Sequence, residues 1–171
     1  MAQSLPHPIH PGKMTFEEFI HWGDETSFAE WIDGEVVELP LPTWRHQDQV
    51  GFLMALLRTF SEEHRLGEVL SVPFLMRLPV RPSGRRPDIM FVANEHLHRF
   101  KEYYLDGPAD LIVEISLAET EDWDRNEKLN DYAQSGVREY WLIHSERNQA
   151  EFYQLGENNT YRPVSINQVE T

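Results

Sequence analysis

The sequence contains no cysteine. That excludes a disulfide framework, a thiolate metal site and a cysteine nucleophile. It fits a reducing compartment, and a cytoplasmic location is expected. No run approaches the ~20 apolar residues that cross a bilayer, and the opening MAQSLPHPIHPGK lacks the apolar stretch of a secretory signal. Neither a phosphate-cradling glycine-rich loop nor an activated-serine motif is present. Basic residues are also scarce: 15 Lys+Arg face 29 Asp+Glu, for a net charge of −14. Attraction of nucleic acid by bulk charge is thereby excluded.

What is present suffices for one packed domain. The chain has 171 residues, 40% hydrophobic and 12% aromatic, enough to build a core without staples. Residues 1–13 read as a flexible Pro/His leader and 14–171 as a single domain. Residues 77–101 run against the acidic trend, with six bases (Arg77, Arg81, Arg85, Arg86, Arg99, Lys101) and two acids.

The patterns predict the elements. Thr15 caps a short helix, with Glu18 completing a capping box. Two β-rich runs flank Asp33-Gly34, a tight hairpin turn. Thr43 caps a helix over roughly 44–65, whose Val50, Leu53, Met54, Leu57 and Phe60 form one buried face and which Gly67 stops. Strands are expected at 68–72, 74–78 and 88–92, a loop at 79–87 and a helical turn at 94–101. Residues 110–116 read as a central strand covered on both faces. A helix over 121–135 closed by Gly136, a strand at 139–143 and a final hairpin complete the chain. The strand–helix–strand unit over 110–143 implies a parallel pair. The fold class is α/β: a mixed sheet core flanked by helices, with antiparallel hairpins at both ends.

Glu114 interrupts the apolar strand LIVEIS, where a lone carboxylate costs several kcal/mol unless it is paired, protonated or metal-bound. The bland alternatives are an exposed strand end or an arginine partner. Asp88 opens another apolar strand directly after Pro87. If the strands are neighbours, the two acids converge, and a divalent cation relieves their repulsion; hard oxygen ligands suit Mg²⁺ or Mn²⁺. Asp124, Lys128 and Tyr132 lie four apart on one helix face. They form either a surface Asp–Lys pair or a lysine aimed at the strand end, able to orient or deprotonate a water or to stabilise negative charge. Glu30 shares a mainly apolar hairpin face with Ile32, Val37 and Leu39, which suggests a partner. His46 lies one turn before Val50, as a structural histidine or as a hydrogen-bond acceptor for a metal-bound water. His7, His10, His96 and His98 fall in loops without patterned carboxylate partners and are expected to face solvent.

Two carboxylates on adjacent strands with a nearby lysine form the constellation of the PD-(D/E)xK nucleases, with Ser116 standing where the lysine normally sits. The chain resembles the Uma-two family of restriction-endonuclease-like proteins over about residues 14–164. The resemblance rests on FAEWIDGEVVELP, PTWRHQDQVGFL, RRPDIMFV, ADLIVEIS and DRNEKLNDYAQSGVREYWLI, in that order. It implies a restriction-endonuclease-like core, with Asp88 and Glu114 as metal-binding acids and Lys128 as the lysine moved to the following helix. Glu30 matches a further family acid that would assist in holding the metal, and His46 a histidine opening the long helix. Leu117-Ala118 departs from the family's Ser-Pro, and the loop before Asp88 is unusually Arg-rich. The function implied is a Mg²⁺- or Mn²⁺-dependent DNA endonuclease, with Arg81, Arg85 and Arg86 clamping the phosphate backbone. The alternative is a non-catalytic, dimeric nucleic-acid-binding or protein-interaction module that kept the fold. A homodimer is expected, with its apolar surface on EYWLI and the aromatic C-terminal strands, and no membrane association.

Overall fold

The structure, a computed structural model, describes residues 12–22, 28–117, 120–147 and 149–165. Most of the expected leader, with His7 and His10, lies outside them. Helix α1 (Phe16–Phe19) carries the capping box: the Thr15 side chain accepts from the Glu18 amide and the Glu18 carboxylate accepts from the Thr15 amide. Strands β1 (Ala29–Ile32) and β2 (Glu35–Glu38) pair antiparallel, with Glu30 opposite Val37. Their turn puts Asp33 at φ 49° and Gly34 at φ 89°, which an Asp-Gly pair tolerates. Helix α2 (Trp44–His64) follows, capped by Thr43.

Then come β3 (Gly67–Ser71), β4 (Leu75–Leu78), β5 (Ser83–Arg85), β6 (Ile89–Ala93), a 3₁₀ turn over Asn94–Arg99, β7 (Tyr104–Asp106) and β8 (Leu111–Ser116). Helix α3 (Glu121–Trp123) passes through a π-helical turn (Asp124–Lys128) into α4 (Leu129–Ser135). Strands β9 (Glu139–His144), β10 (Gln149–Leu155) and β11 (Tyr161–Pro163) close the chain.

The strands form two mixed sheets. One has the order β2-β1-β5-β4-β7 and the other β11-β10-β9-β8-β6-β3. The expected parallel pair is β8 with β9, and β8 also pairs antiparallel with β6. All six residues of β8 are buried. Its residues alternate between two cores: Leu111, Val113 and Ile115 face the cluster under α2, while Ile112 joins the core shared with Tyr132 of α4. Glu114 has the parity of Ile112 and therefore lies on the α4 side.

Two local expectations change. Residues 83–85 are not loop but a strand between β1 and β4; neighbours on both sides stabilise three residues that propensity alone would not. Helix α2 ends two residues before Gly67, at Arg65 in the left-handed conformation (φ 54°). Gly67 instead permits close pairing, since a Cβ there would sit 2.0 Å from the Val92 carbonyl oxygen. The aromatics of the C-terminal strands pack within the chain: Tyr140 stacks with Tyr153 and Tyr161, and Trp141 meets Phe152 edge-on. Trp141 stays half-buried and borders an apolar groove beside α2. Among the described residues, no helix is long and apolar enough to cross a membrane.

Candidate active site

A narrow cleft opens where the start of β6, the end of β8, the N-terminus of α2 and the π-helical turn meet. Its lining includes His46, Arg86, Asp88, Glu114, Asp124 and Lys128, with Trp123 among its apolar walls. The cavity is small, about 50 Å³, room for a few waters or one ion with part of its shell. The sequence expectation that Asp88 and Glu114 converge is met to the extent that both line this cleft.

Each side chain is fixed by its element. The Ile115 amide donates to Asp88 Oδ2 at 2.7 Å, bridging β8 to the residue before β6. His46 Nε2 lies 3.1 Å from the same oxygen. A carboxylate only accepts, so Nε2 carries the proton. Glu114 Oε2 accepts from Lys128 Nζ at 3.0 Å, and Oε1 accepts from the Tyr132 hydroxyl at 2.6 Å. Lys128 also lies 3.1 Å from Asp124 Oδ1, whose other oxygen accepts from Thr120. The four-residue spacing thus does bring Asp124, Lys128 and Tyr132 to one face, but that face is buried, and Lys128 is 6% exposed. The surface-pair alternative falls away. A π-helical turn across the lysine is typical of functional segments in helices.

The charges are unevenly settled. Burial, then the charges of Asp88 and Asp124, push the Glu114 carboxyl up to about 8 against the pull of Lys128 and Tyr132. Burial opposes the charge on Lys128, but Asp124, Glu114, Glu30 and Asp88 outweigh it and hold the ammonium well above an ordinary lysine. Lys128 is therefore a fixed positive charge and not a proton acceptor. Three buried polar atoms of cleft-lining residues have no partner among the described residues: His46 Nδ1, Arg86 Nε and Trp123 Nε1.

Other expected site residues lie elsewhere. Glu30 is fully buried beneath the cleft, and both its oxygens are taken: Oε2 accepts from Arg85 at 2.8 Å and Oε1 from the Arg86 amide at 2.9 Å. Burial raises its pKa, but Arg85, Lys128 and the Arg86 amide outweigh that and hold it below the ordinary value. It positions the segment ahead of Asp88 and does not line the cleft. Arg85 cannot clamp phosphate, because its side chain is fully buried between Glu30 and Asp131. Arg81 is paired with Glu127 beside Asp131. Of the three arginines, Arg86 alone lines the cleft. Ser116 is buried, and its hydroxyl donates to the Leu117 carbonyl; the rest of the Leu117-Ala118 departure falls on 118–119, outside the described residues.

His96 is not solvated as expected. Its Nδ1 lies 2.9 Å from Asp110, at the opposite end of β8 from the cleft. Among the described residues, Glu95, His96 and Asp110 are the one His/Asp/Glu trio with ligand atoms within 4.8 Å of one another. Those carboxylates already hold the Ala93 amide at 2.8 Å and Arg138 at 3.3 and 3.7 Å, which makes this an ion-paired support. Trp123 and Asp124 were missed as cleft residues. Asp124 stood at four-residue spacing from Lys128, whereas no pattern marked Trp123.

Comparison with known proteins places the fold. A crystal structure from Anabaena variabilis ATCC 29413, described as "a putative nuclease belonging to DUF820", superposes with a TM-score of 0.73. The match covers 88% of this chain and 83% of that one at 14% identity, a likeness of fold. No curated protein matches. The family described as "Uma2: Putative restriction endonuclease" matches over residues 16–171, and the chain belongs to that family.

Proposed function

We propose that this chain is a divalent-cation-dependent endonuclease that hydrolyses phosphodiester bonds of DNA. The observation that carries the reading is the convergence of Asp88, Glu114 and Lys128 on one cleft whose lining keeps three buried polar atoms without partners among the described residues. Family membership and the nuclease-like fold support the same reaction class. The donor set fits Mg²⁺ or Mn²⁺: hard carboxylate oxygens, no thiolate, and a Glu114 whose ionisation is resisted by burial and then by the charges of Asp88 and Asp124. Each Glu114 oxygen accepts one hydrogen bond and keeps acceptor capacity for an ion. Asp88 and Glu114 would hold the cation. When bound, it polarises the phosphoryl oxygen and lowers the pKa of water.

The chain's own residues supply the rest. Lys128 presents a permanent charge that stabilises negative charge gathering on phosphorus-bound oxygens. With its proton on Nε2 toward Asp88, His46 can offer Nδ1 to accept a proton or a hydrogen bond from a water. Arg86 Nε–H and Trp123 Nε1–H are donors for phosphate oxygens. The remaining basic strip is largely spent internally. Arg77 pairs with Glu17, Arg81 with Glu127 and Arg85 with Glu30, while Arg99 donates to the Pro108 carbonyl. Substrate attraction therefore falls to the cation, Arg86 and Lys128.

The test is cleavage of supercoiled and single-stranded DNA by pure protein with Mg²⁺, with Mn²⁺ and with chelator. Metal-dependent cleavage that Asp88→Ala abolishes while the protein stays folded is expected. Cleavage that persists in Asp88→Ala or in chelator would overturn the reading, as would its absence from the wild type in both metals.

A further inference from the structure

Polar groups lie deep in the cleft, and much of the rest of its lining is apolar. Phe28, Leu39, Pro40 and Pro42, which flank the β1–β2 hairpin, line it together with Leu117 and Trp123. The Leu39 amide donates to the Phe28 carbonyl at 2.9 Å, which ties the two flanks together, and Leu41 beside them is 68% exposed. Trp123 already has the Arg85 guanidinium over its ring, 5.6 Å from the centroid. Phe28 is half-buried and joins none of the three apolar cores among the described residues. It is the aromatic ring that the cleft has to spare. Asp88 is 8% exposed, Glu114 3% and Lys128 6%, so a scissile phosphate must enter the cleft to reach them.

We propose that the cleft takes an unpaired DNA strand, with one base stacked on Phe28 and the adjoining phosphate beside Arg86 and Lys128. The inference rests on the nuclease reading and names the form of its substrate. A duplex keeps its bases inside and offers phosphate and sugar outward, so a surface that grips it needs cations and hydrogen-bond donors where it meets the backbone. Here Phe28, Leu39, Pro40 and Pro42 stand instead, and the lysines and arginines of the lining are Arg86 and Lys128 alone. The net charge of −14 supplies no compensating attraction. A duplex is also stiff over ~150 bp, whereas an unpaired strand bends and can carry a single phosphate inward. Its bases present flat faces, and stacking them on an aromatic ring calls for no bulk positive charge. An acidic chain whose arginines are mostly spent on its own carboxylates thus suits a strand held at a base by stacking and at one phosphate by two cations.

Fluorescence anisotropy of a short fluorescein-labelled phosphorothioate DNA, single-stranded or annealed to its complement, reads binding to the full chain in Mg²⁺. Cleavage of the unmodified strands in Mg²⁺ and in Mn²⁺ is followed alongside. The single strand should bind at least about tenfold more tightly than the duplex and be cut faster. Its affinity should fall with salt at a log–log slope of about −1.4, for two phosphate contacts at ~0.7 each. Phe28→Leu, apolar but without the flat ring, should weaken single-strand binding by about 5–100-fold and leave Mn²⁺ binding unchanged, while Phe28→Tyr should bind the single strand as the wild type does. A duplex bound as tightly as the single strand overturns the proposal, as does single-strand binding indifferent to Phe28→Leu. A salt slope of about −5 or steeper would place binding on a wider basic surface and overturn it too. Equal cutting of both forms would overturn it and leave the nuclease reading standing. Tighter single-strand binding without cleavage in either metal would support the unpaired strand as ligand and overturn the nuclease reading instead.

Discussion

Two buried charge clusters lie almost back to back in this molecule, built from the same residue types. In the first, one guanidinium, Arg85, is held between Glu30 and Asp131, with its side chain fully buried. Burial opposes its charge, but Glu30, Tyr132 and Asp131 outweigh that and raise its pKa further; Glu30 is held ionised in turn. In the second, Asp88, Glu114 and Asp124 surround one ammonium, Lys128, and the cluster opens into a cleft. There Glu114 is pushed up to about 8, and polar atoms of His46, Arg86 and Trp123 along the cleft lack partners among the described residues. The first cluster is closed to solvent and holds both terminal nitrogens of Arg85 on carboxylates, with only Nε unpartnered among the described residues, so it serves the fold. The second is acid-rich and unfinished, so it suits a cation and an anionic substrate. Residue type does not separate them; the balance of charge and the opening to solvent do.

The largest effect should come from breaking the closed cluster. Arg85→Ala leaves Glu30 and Asp131 buried without their cation, which costs about 3–5 kcal/mol. Thermal unfolding should fall by about 10 °C or more, at ~2–4 °C per kcal/mol for a chain of this size. A melting temperature within a degree or two of wild type would erase the distinction between the clusters. Lys128→Met should be milder in stability and severe in activity. Glu114 already holds a proton below about pH 8, so it is not left as a bare buried charge and the loss should be about 1–3 kcal/mol, whereas cleavage should drop by ~10²–10³. The stability loss should grow with pH, as ionised Glu114 then stands unpaired. Equal cleavage by variant and wild type would remove Lys128 from the site.

The pH dependence of stability separates the clusters without mutation. Between its ordinary value of 4.5 and about 8, Glu114 binds a proton in the folded chain that it loses on unfolding. Its contribution is complete below pH 4.5 and lost as pH rises to about 8. Glu30, held below 4.5, has the opposite sign: its contribution is present above 4.5 and lost as pH falls through its folded value. Melting curves in chelator should therefore decline from pH 5 toward pH 8, and Glu114→Gln should flatten the decline. A slope unchanged in Glu114→Gln would mean that other groups carry it. The smallest effect should follow from Trp123→Phe, which keeps the ring and removes the unpartnered N–H. It should weaken DNA binding by ~3–10-fold, the worth of one hydrogen bond, with no change in melting temperature; unchanged affinity by fluorescence anisotropy would show that this donor does not meet substrate.

The cleft was legible in the sequence where a residue contradicted its surroundings. An acid inside LIVEIS, an acid opening an apolar strand and a lysine at helical spacing each break a local pattern, and the fold brings all three to one place. Arg85 and Arg86 were not separable. The strand character of 83–85 comes from β1 and β4 on either side, and only pairing decides that Arg85 faces inward and Arg86 toward the cleft. Glu30 was read on the correct face, but its partner is 55 residues away and no local spacing reveals it. For α2 the periodicity located Val50 on the buried face, yet Phe60 near the helix end stays 53% exposed and stacks on His64. Apolar spacing tells which residues seek cover and not whether the same chain provides it.

Binding of Mn²⁺ to the full chain, followed by electron paramagnetic resonance, tests the contrast between the open and closed clusters most directly. One Mn²⁺ per chain should bind at the cleft, be competed by Mg²⁺, and be lost in Asp88→Asn and in Glu114→Gln. Binding should be unaffected by His96→Asn, at the far end of β8, where Glu95 and Asp110 already hold Arg138. Binding that survives Asp88→Asn and Glu114→Gln, or that disappears in His96→Asn, would contradict the assignment of the acid-rich cleft as the cation site.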